Sequence, residues 1–259
     1  MINLIVGDLE NVLIPEGETQ IPEEVLELIA QLKNNNILFA VATGRNYDAV
    51  FPLFGKLKND IVYICNDGGT VIYQDKVISK TPIDRLVCMD VANEIEKDNR
   101  FQLIFADERE AFIYSDDSRL KEYLKNRGIE VNKEKEAKAI HKEITKITIF
   151  APDGLDEESY QNFFMKWSKK ANVAVSTPVE AYITGEYVSK GTALALLQHL
   201  FEISEEDTVV FGGGYSDIDM FEHSYFSYAM QSADAQVKRA AQHIAENIQT
   251  IVEDILRMR

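Results

Sequence analysis

The first apolar run, Ile2-Asn3-Leu4-Ile5-Val6-Gly7, with the acidic turn it delivers, Asp8-Leu9-Glu10-Asn11, constrains this chain more than any other stretch. Residues rich in Ile, Leu and Val that end at a glycine and a carboxylate read as a buried strand. Pro22 to Lys33 follows, with Val25, Leu26, Leu28, Ile29 and Leu32 spaced for one helical face. A second buried run, Ile37 to Ala42, stops at Thr43-Gly44-Arg45. Strand, helix and strand at this length make a βαβ unit, so the two strands lie parallel and end at one edge. Asp8 and Thr43 are thereby brought together at the edge where open α/β sheets bind ligands.

Composition removes several classes of function. A formal charge of -16 opposes a nucleic-acid or anionic-membrane partner, because phosphate backbones demand a basic face. A small phosphorylated substrate stays open, since a few cations inside a pocket can outweigh the global field. The chain has 259 residues, 46% of them hydrophobic, enough for one large domain or two moderate ones. Cys65 and Cys88 give no disulfide framework and suit a reducing compartment. No secretory signal is visible, and no apolar run approaches the ~18 residues of a membrane span. The expectation is a soluble, cytoplasmic protein.

A third buried run, Ile61 to Cys65, ends at Asn66-Asp67-Gly68-Gly69, and Thr70 to Ile78 reads as a hairpin turning at Gln74-Asp75. From Ile83 to about Tyr182 the pattern becomes mixed, which predicts an α+β insertion. Helices are expected at 85–97, from Ser115-Asp116 to Lys125, and at 155–170. Strands are expected at 101–106, 111–114, 144–150, 173–176 and 179–184. The stripe Tyr160, Phe163, Phe164 and Trp167 reads as core packing, and Lys133 to Glu136 as a solvated face. The first pattern then resumes. Ser189-Lys190-Gly191-Thr192 opens a helix to Phe201, and a fourth buried run, Thr208 to Phe211, ends in Gly212-Gly213-Gly214-Tyr215-Ser216-Asp217. A helix from Ile218, a strand at 225–230 and a C-terminal helical segment complete a doubly wound parallel sheet.

Three polar turns therefore converge on one edge. A strand-end carboxylate with a second carboxyl two residues on suits nucleophilic attack followed by proton delivery. Asp8 and Glu10 can face the same side of an extended segment. Thr43 offers a hydroxyl, Gly44 a backbone N–H and Lys190 a point charge, the parts needed to hold a phosphoryl group. Asp8 can approach a dianion only if positive charge offsets the repulsion. Mg²⁺, which takes one or two carboxylates plus waters, would find them in Asp8 and Asp217.

Over nearly its whole length the sequence resembles the haloacid dehalogenase (HAD) superfamily, in its Cof-like sugar-phosphatase branch with a C2-type cap. Four motifs carry the resemblance: Asp8 to Leu13, Ala42-Thr43-Gly44-Arg45, Ser189 to Leu194, and Gly212 to Met220. It implies a Rossmann-like core from 1–83 and 185–259 and an α+β cap from 84–184. It implies Asp8 as nucleophile and Glu10 as acid/base, with Thr43, Gly44, Arg45, Lys190 and Ser216 around the phosphoryl group. Asp8, Glu10 and Asp217 would surround Mg²⁺.

The departures from the family pattern are specific. Glu10 replaces an Asp, Asn11 and Val12 replace Gly and Thr, and Gly213 and Ser216 replace an Asp and an Asn. Asp67 stands where Asn is customary. Two readings follow: a Mg²⁺-dependent phosphatase of small phosphorylated metabolites with a weakened metal site, or a non-catalytic relative that binds a phosphorylated ligand or a partner. A dinucleotide-binding enzyme falls behind both, because no Gly-x-Gly-x-x-Gly follows the first strand.

Overall fold

A computed structural model describes residues 1–258; Arg259, the last residue of the expected 185–259 core segment, lies outside them. In chain order the strands are β1 (Leu4–Asp8), β2 (Leu38–Ala42), β3 (Val62–Cys65), β4 (Thr70–Tyr73), β5 (Lys76–Lys80), β6 (Gln102–Ala106), β7 (Ala111–Ile113), β8 (Val131–Lys133), β9 (Lys146–Phe150), β10 (Asn172–Thr177), β11 (Glu180–Thr184), β12 (Thr208–Gly212), β13 (Phe226–Met230) and β14 (His243–Ala245). The helices are α1 (Glu23–Asn34), α2 (Tyr47–Val50), α3 (Arg85–Ile95), α4 (Ser118–Asn126), α5 (Glu157–Trp167), α6 (Lys190–Phe201), α7 (Ile218–Phe221), α8 (Ala235–Ala240) and α9 (Ile248–Arg257).

Eight strands form one sheet in the order β14-β13-β12-β1-β2-β3-β4-β5. The run from β14 to β3 is parallel, and β3, β4 and β5 are antiparallel. Alternate residues serve the two faces. Ile5, Phe39, Val41, Tyr63 and Phe211 pack with α1 and α9, whereas Leu4, Val6, Ala40, Val62 and Val210 pack with α6 and α7. Burial on both faces is why these strands read as unbroken apolar runs. The chain winds outward from β1 in one direction and from β12 in the other. The ends of β1 and β12 are therefore the switch point of the sheet, where a crevice opens.

The other six strands form a second sheet, β10-β11-β9-β6-β7-β8, antiparallel except for β7 with β8. All of its strands come from the stretch expected to form an insertion. One face, with Leu103, Phe105, Ile147, Ile149, Ala181 and Ile183, packs on Val87, Val91 and Ile95 of α3 and on Phe163 and Trp167 of α5. Phe164, expected in the same stripe, is 41% exposed on the far side of α5. The cap of α4 is Asp117, which accepts from Arg119 N and Leu120 N, one residue beyond the expected Ser115-Asp116. The three-residue strands β8 and β14 were not foreseen; neither is long enough to show an alternation.

Candidate active site

Asp8 closes β1, and its register partner Ala42 closes β2, so Thr43 follows directly beside it. Lys190 arrives from the first turn of α6, whose start is fixed by a capping box between Ser189 and Thr192. A cation at a helix N-terminus works against the macrodipole. Two carboxylates outweigh that cost: Lys190 Nζ donates to Asp8 Oδ1 at 2.7 Å and to Asp217 Oδ1 at 2.7 Å. All three side chains are almost completely buried. Asp217 Oδ2 accepts from Gly213 N at 2.8 Å and Gly214 N at 2.9 Å, which ties the glycine loop to the lysine.

One ammonium shared by two carboxylates leaves excess negative charge. Burial first, and then Asp217, push the Asp8 carboxyl well above the usual range against the pull of Lys190. Burial pulls Lys190 down, but Asp217 and Asp8 outweigh it and hold the ammonium charged.

A second group stands beside the first. Arg45 Nε donates to Glu10 Oε1 at 2.6 Å, Thr43 Oγ1 donates to Glu10 Oε2 at 3.2 Å, and Arg45 Nη1 reaches the Arg127 carbonyl at 2.9 Å. Asn11 occupies the left-handed region at φ 63°, a conformation glycine adopts freely and asparagine is among the few other residues to tolerate. Asp8, Glu10, Gly44, Arg45, Lys190 and Ser216 line a common cavity of about 200 Å³. Thr43 and Asp217 stand behind its wall, fully buried.

The same cavity has a roof from the second sheet that sequence reasoning did not single out. Strand alternation sends Ile147 and Ile149 into the helix-backed core and leaves Lys146 and Thr148 facing the cavity, joined by Glu180 of β11. Lys146 Nζ donates to Asp67 Oδ2 at 2.6 Å and to the Gly44 carbonyl at 2.9 Å. A Cβ on Gly44 would come 2.9 Å from that ammonium and 3.0 Å from Asp67 Oδ2, so an added methyl would push this ion pair aside. Glu180 Oε2 accepts from Tyr123 Oη at 2.5 Å and Arg127 Nη1 at 3.0 Å. The available signal was a lysine and a threonine on alternate positions of the otherwise apolar Lys146 to Phe150.

The metal set expected from the sequence meets these contacts directly. Glu10 spends both oxygens on Arg45 and Thr43, and Asp217 spends both on Lys190 and the glycine loop. Asp219 does not line the cavity: its Oδ2 accepts from Gly191 N at 3.1 Å at the start of α6, and its Oδ1 is buried without a hydrogen-bond partner among the described residues. Of the three expected ligands, Asp8 alone keeps an oxygen without a hydrogen bond among the described residues. Among the described residues no group of three or more His, Cys, Asp or Glu side chains is arranged to hold a metal ion, so Asp8 is the one carboxylate of the expected set left to offer an oxygen.

The sequence profile of the haloacid dehalogenase-like hydrolases matches residues 5–250. The chain belongs to that family. It is 23% identical to the 5-amino-6-(5-phospho-D-ribitylamino)uracil phosphatase YbjI of Escherichia coli K12, over 99% of this chain and 97% of that one. Its fold superposes on the HAD subclass IIB sugar phosphatase BT4131 with a TM-score of 0.84, at 22% identity and covering 98% of each chain. TM0651 of Thermotoga maritima superposes with a TM-score of 0.80, at 22% identity, over 98% of this chain and 97% of that one. The expected family and α/β fold class hold. No helix among the described residues is long and apolar enough to cross a membrane.

Proposed function

We propose that this hydrolase cleaves the phosphate monoester of a small metabolite of the sugar-phosphate class through an aspartyl-phosphate on Asp8. The reading rests on one observation above all: a buried strand-end carboxylate, held by a buried lysine, borders a cavity roofed by a second sheet. In this reading 1–83 and 185–259 act as the core, and 84–184 as a cap that selects the substrate.

The chemistry follows from the contacts. Lys190 fixes Asp8 Oδ1, leaving Oδ2 to bond to phosphorus as the ester P–O bond breaks. Glu10, an acceptor from Arg45 and Thr43 in the structure, takes up a proton from solvent on its release from Arg45 and gives that proton to the departing oxygen. The resulting carboxylate then takes a proton from the water that attacks the phosphoryl group, freeing inorganic phosphate and restoring Asp8. Arg45, Gly44, Ser216 and Lys190 surround the phosphoryl oxygens, while Thr43 acts from behind by holding Glu10.

The cavity is lined by four carboxylates (Asp8, Glu10, Asp67, Glu180) and four cations (Arg45, Arg127, Lys146, Lys190), with Asp217 buried behind its wall against Lys190, so an entering dianion meets no net positive charge. Mg²⁺ held by Asp8 would supply it and polarise the phosphoryl group. The reduced, buried Cys65 and Cys88 suit a cytoplasmic setting.

The test is hydrolysis of an aryl phosphate and a panel of sugar phosphates, with Mg²⁺ and with chelator. Turnover that rises with Mg²⁺ and falls at least ~10³-fold in Asp8→Asn supports the reading. Phosphate binding without turnover on any ester would instead establish a non-catalytic ligand binder.

A further inference from the structure

The turn after β3 touches both the roof and the floor of the cavity. Asn66 and Asp67 are both left-handed, at φ 53° and 52°, and both are buried. Asn66 Nδ2 donates to the Asp107 carbonyl at 2.7 Å and to Thr145 Oγ1 at 2.9 Å, both in the second sheet's segment. Asp67 takes Lys146 from the same segment. On its other side the turn lies against α6: a Cβ on Gly68 would fall 2.0 Å from the Ser189 carbonyl, a contact only glycine permits. Asp67 Oδ1 is itself 4.0 Å from Lys190 Nζ.

Asp67 thus stands between two ammonium groups, one from strand β9 of the second sheet and one from the start of α6. Burial alone would raise its carboxyl, but Lys146 and then Lys190 hold it below the usual range. Lys146 continues the alternation to Glu180 Oε1 at 3.8 Å, and Glu180 to Arg127. The result is a line of alternating charge from the rim of the roof to the nucleophile: Arg127, Glu180, Lys146, Asp67, Lys190, Asp8.

We propose that Lys146 is a positioning residue through which closure of the cap sets the nucleophile. With the cap seated, the Lys146 ammonium engages Asp67 and leaves Lys190 committed to Asp8 and Asp217. With the cap lifted, Asp67 loses its nearer cation and turns to Lys190, drawing it from Asp8. The site is then assembled only when covered, so water-exposed Asp8 is kept from unselective attack. An uncharged amide in place of the Asp67 carboxylate would make no such claim on Lys190. The inference rests on the proposed role of Asp8 and Lys190 at the phosphoryl group.

The experiment compares the parent, Lys146→Met and Lys146→Met/Asp67→Asn. It measures kcat/KM on an aryl phosphate and, independently of turnover, inorganic phosphate affinity by calorimetry. Lys146→Met is expected to lower kcat/KM by about 10²-fold, the scale of a misplaced reacting group, and to weaken phosphate binding. Removing Asp67 as well is expected to restore both to within about tenfold of the parent, a coupling that separates this role from direct substrate contact. A double variant no better than Lys146→Met overturns the proposal, as does a Lys146→Met variant with parental rates. Should Lys146→Met fail to fold, the double variant, which buries no unpaired member of the Lys146 and Asp67 pair, carries the test: turnover as low as that of Asp8→Asn overturns it. A parent that binds phosphate but hydrolyses nothing sinks the hydrolase reading alone, and the inference is then decided by the order of phosphate affinities.

Discussion

The floor and the roof of the cavity solve the same electrostatic problem in different ways. The floor takes its charged groups from element ends: Asp8 from the last residue of β1, Lys190 from the first turn of α6, Asp217 just beyond β12. Backbone geometry fixes each one, and solvent reaches none of them appreciably. The roof also takes its charges from element ends, Lys146 from the first residue of β9, Glu180 from the first of β11 and Arg127 from just past α4, but its outermost member, Arg127, is 32% exposed. The floor is therefore a dry triad whose members cannot be removed singly without stranding a charge. The roof grades from a dry lysine to a wet arginine. Breaking a buried pair costs about 3–5 kcal/mol, whereas a pair open to solvent is worth ~1 kcal/mol or less.

That contrast makes the largest expected effect specific. Lys190→Met should leave Asp8 and Asp217 buried without a cation, lowering stability by roughly 3–5 kcal/mol and abolishing turnover. Arg127→Met should cost no more than ~1 kcal/mol and should alter KM before kcat. Urea unfolding of both variants, read alongside steady-state kinetics, checks the pair. Equal destabilisation would erase the distinction between floor and roof.

The same contrast explains what the sequence could reveal. The floor was legible because short-range rules build it: a βαβ unit puts Asp8 beside Thr43, and the return through β12 puts Gly212 to Asp217 on the other side of β1. The roof depends on how two sheets dock, and nothing local announces that Lys146 will land on Asp67, 79 positions away in the chain. Even on the floor the reach was limited. Which oxygen of Glu10 meets Arg45, or that Asp217 would be consumed by Lys190 and two backbone N–H groups, depends on side-chain geometry that spacing does not encode. The residues expected around Mg²⁺ lie near one another, but most of their oxygens are engaged by protein donors.

Gly213→Asp sharpens the comparison at the metal. An added Cβ would meet Asn11 Cβ at 3.5 Å, Met230 Cγ at 3.9 Å and the Glu10 carbonyl at 4.0 Å, ordinary contacts that leave space for a carboxylate. Because the floor is already rich in acid, the variant should be less stable than the parent in chelator. Mg²⁺ should then restore it: saturation at about 100 times the dissociation constant gives roughly 2.7 kcal/mol. Thermal unfolding against Mg²⁺ concentration is the measurement, with the parent expected to respond weakly. A variant that binds Mg²⁺ no better than the parent would show that residue 213 does not face the ion.

The smallest expected effect concerns the carboxylates themselves, and its sign differs between neighbours. Asp67 is held below the ordinary range by Lys146 and Lys190 in spite of burial, whereas burial raises Glu180 against the same Lys146. A depressed carboxyl stabilises the fold fully above its unfolded pKa of about 3.9 and loses that contribution as pH falls through the folded value. A raised carboxyl does the reverse: Glu180 costs stability once pH exceeds its folded pKa, and the cost vanishes below about 4.3, its unfolded value. Asp67→Asn should therefore be less stable than the parent at neutral pH, with the gap closing below about pH 4. Glu180→Gln should lose the penalty of ionisation, so that relative to the parent it gains as pH rises from about 4 to neutrality. Urea midpoints of the three proteins across that interval give the two slopes. If both variants drift in the same direction, the ammonium of Lys146 does not belong chiefly to Asp67, and the roof is not anchored where its contacts place it.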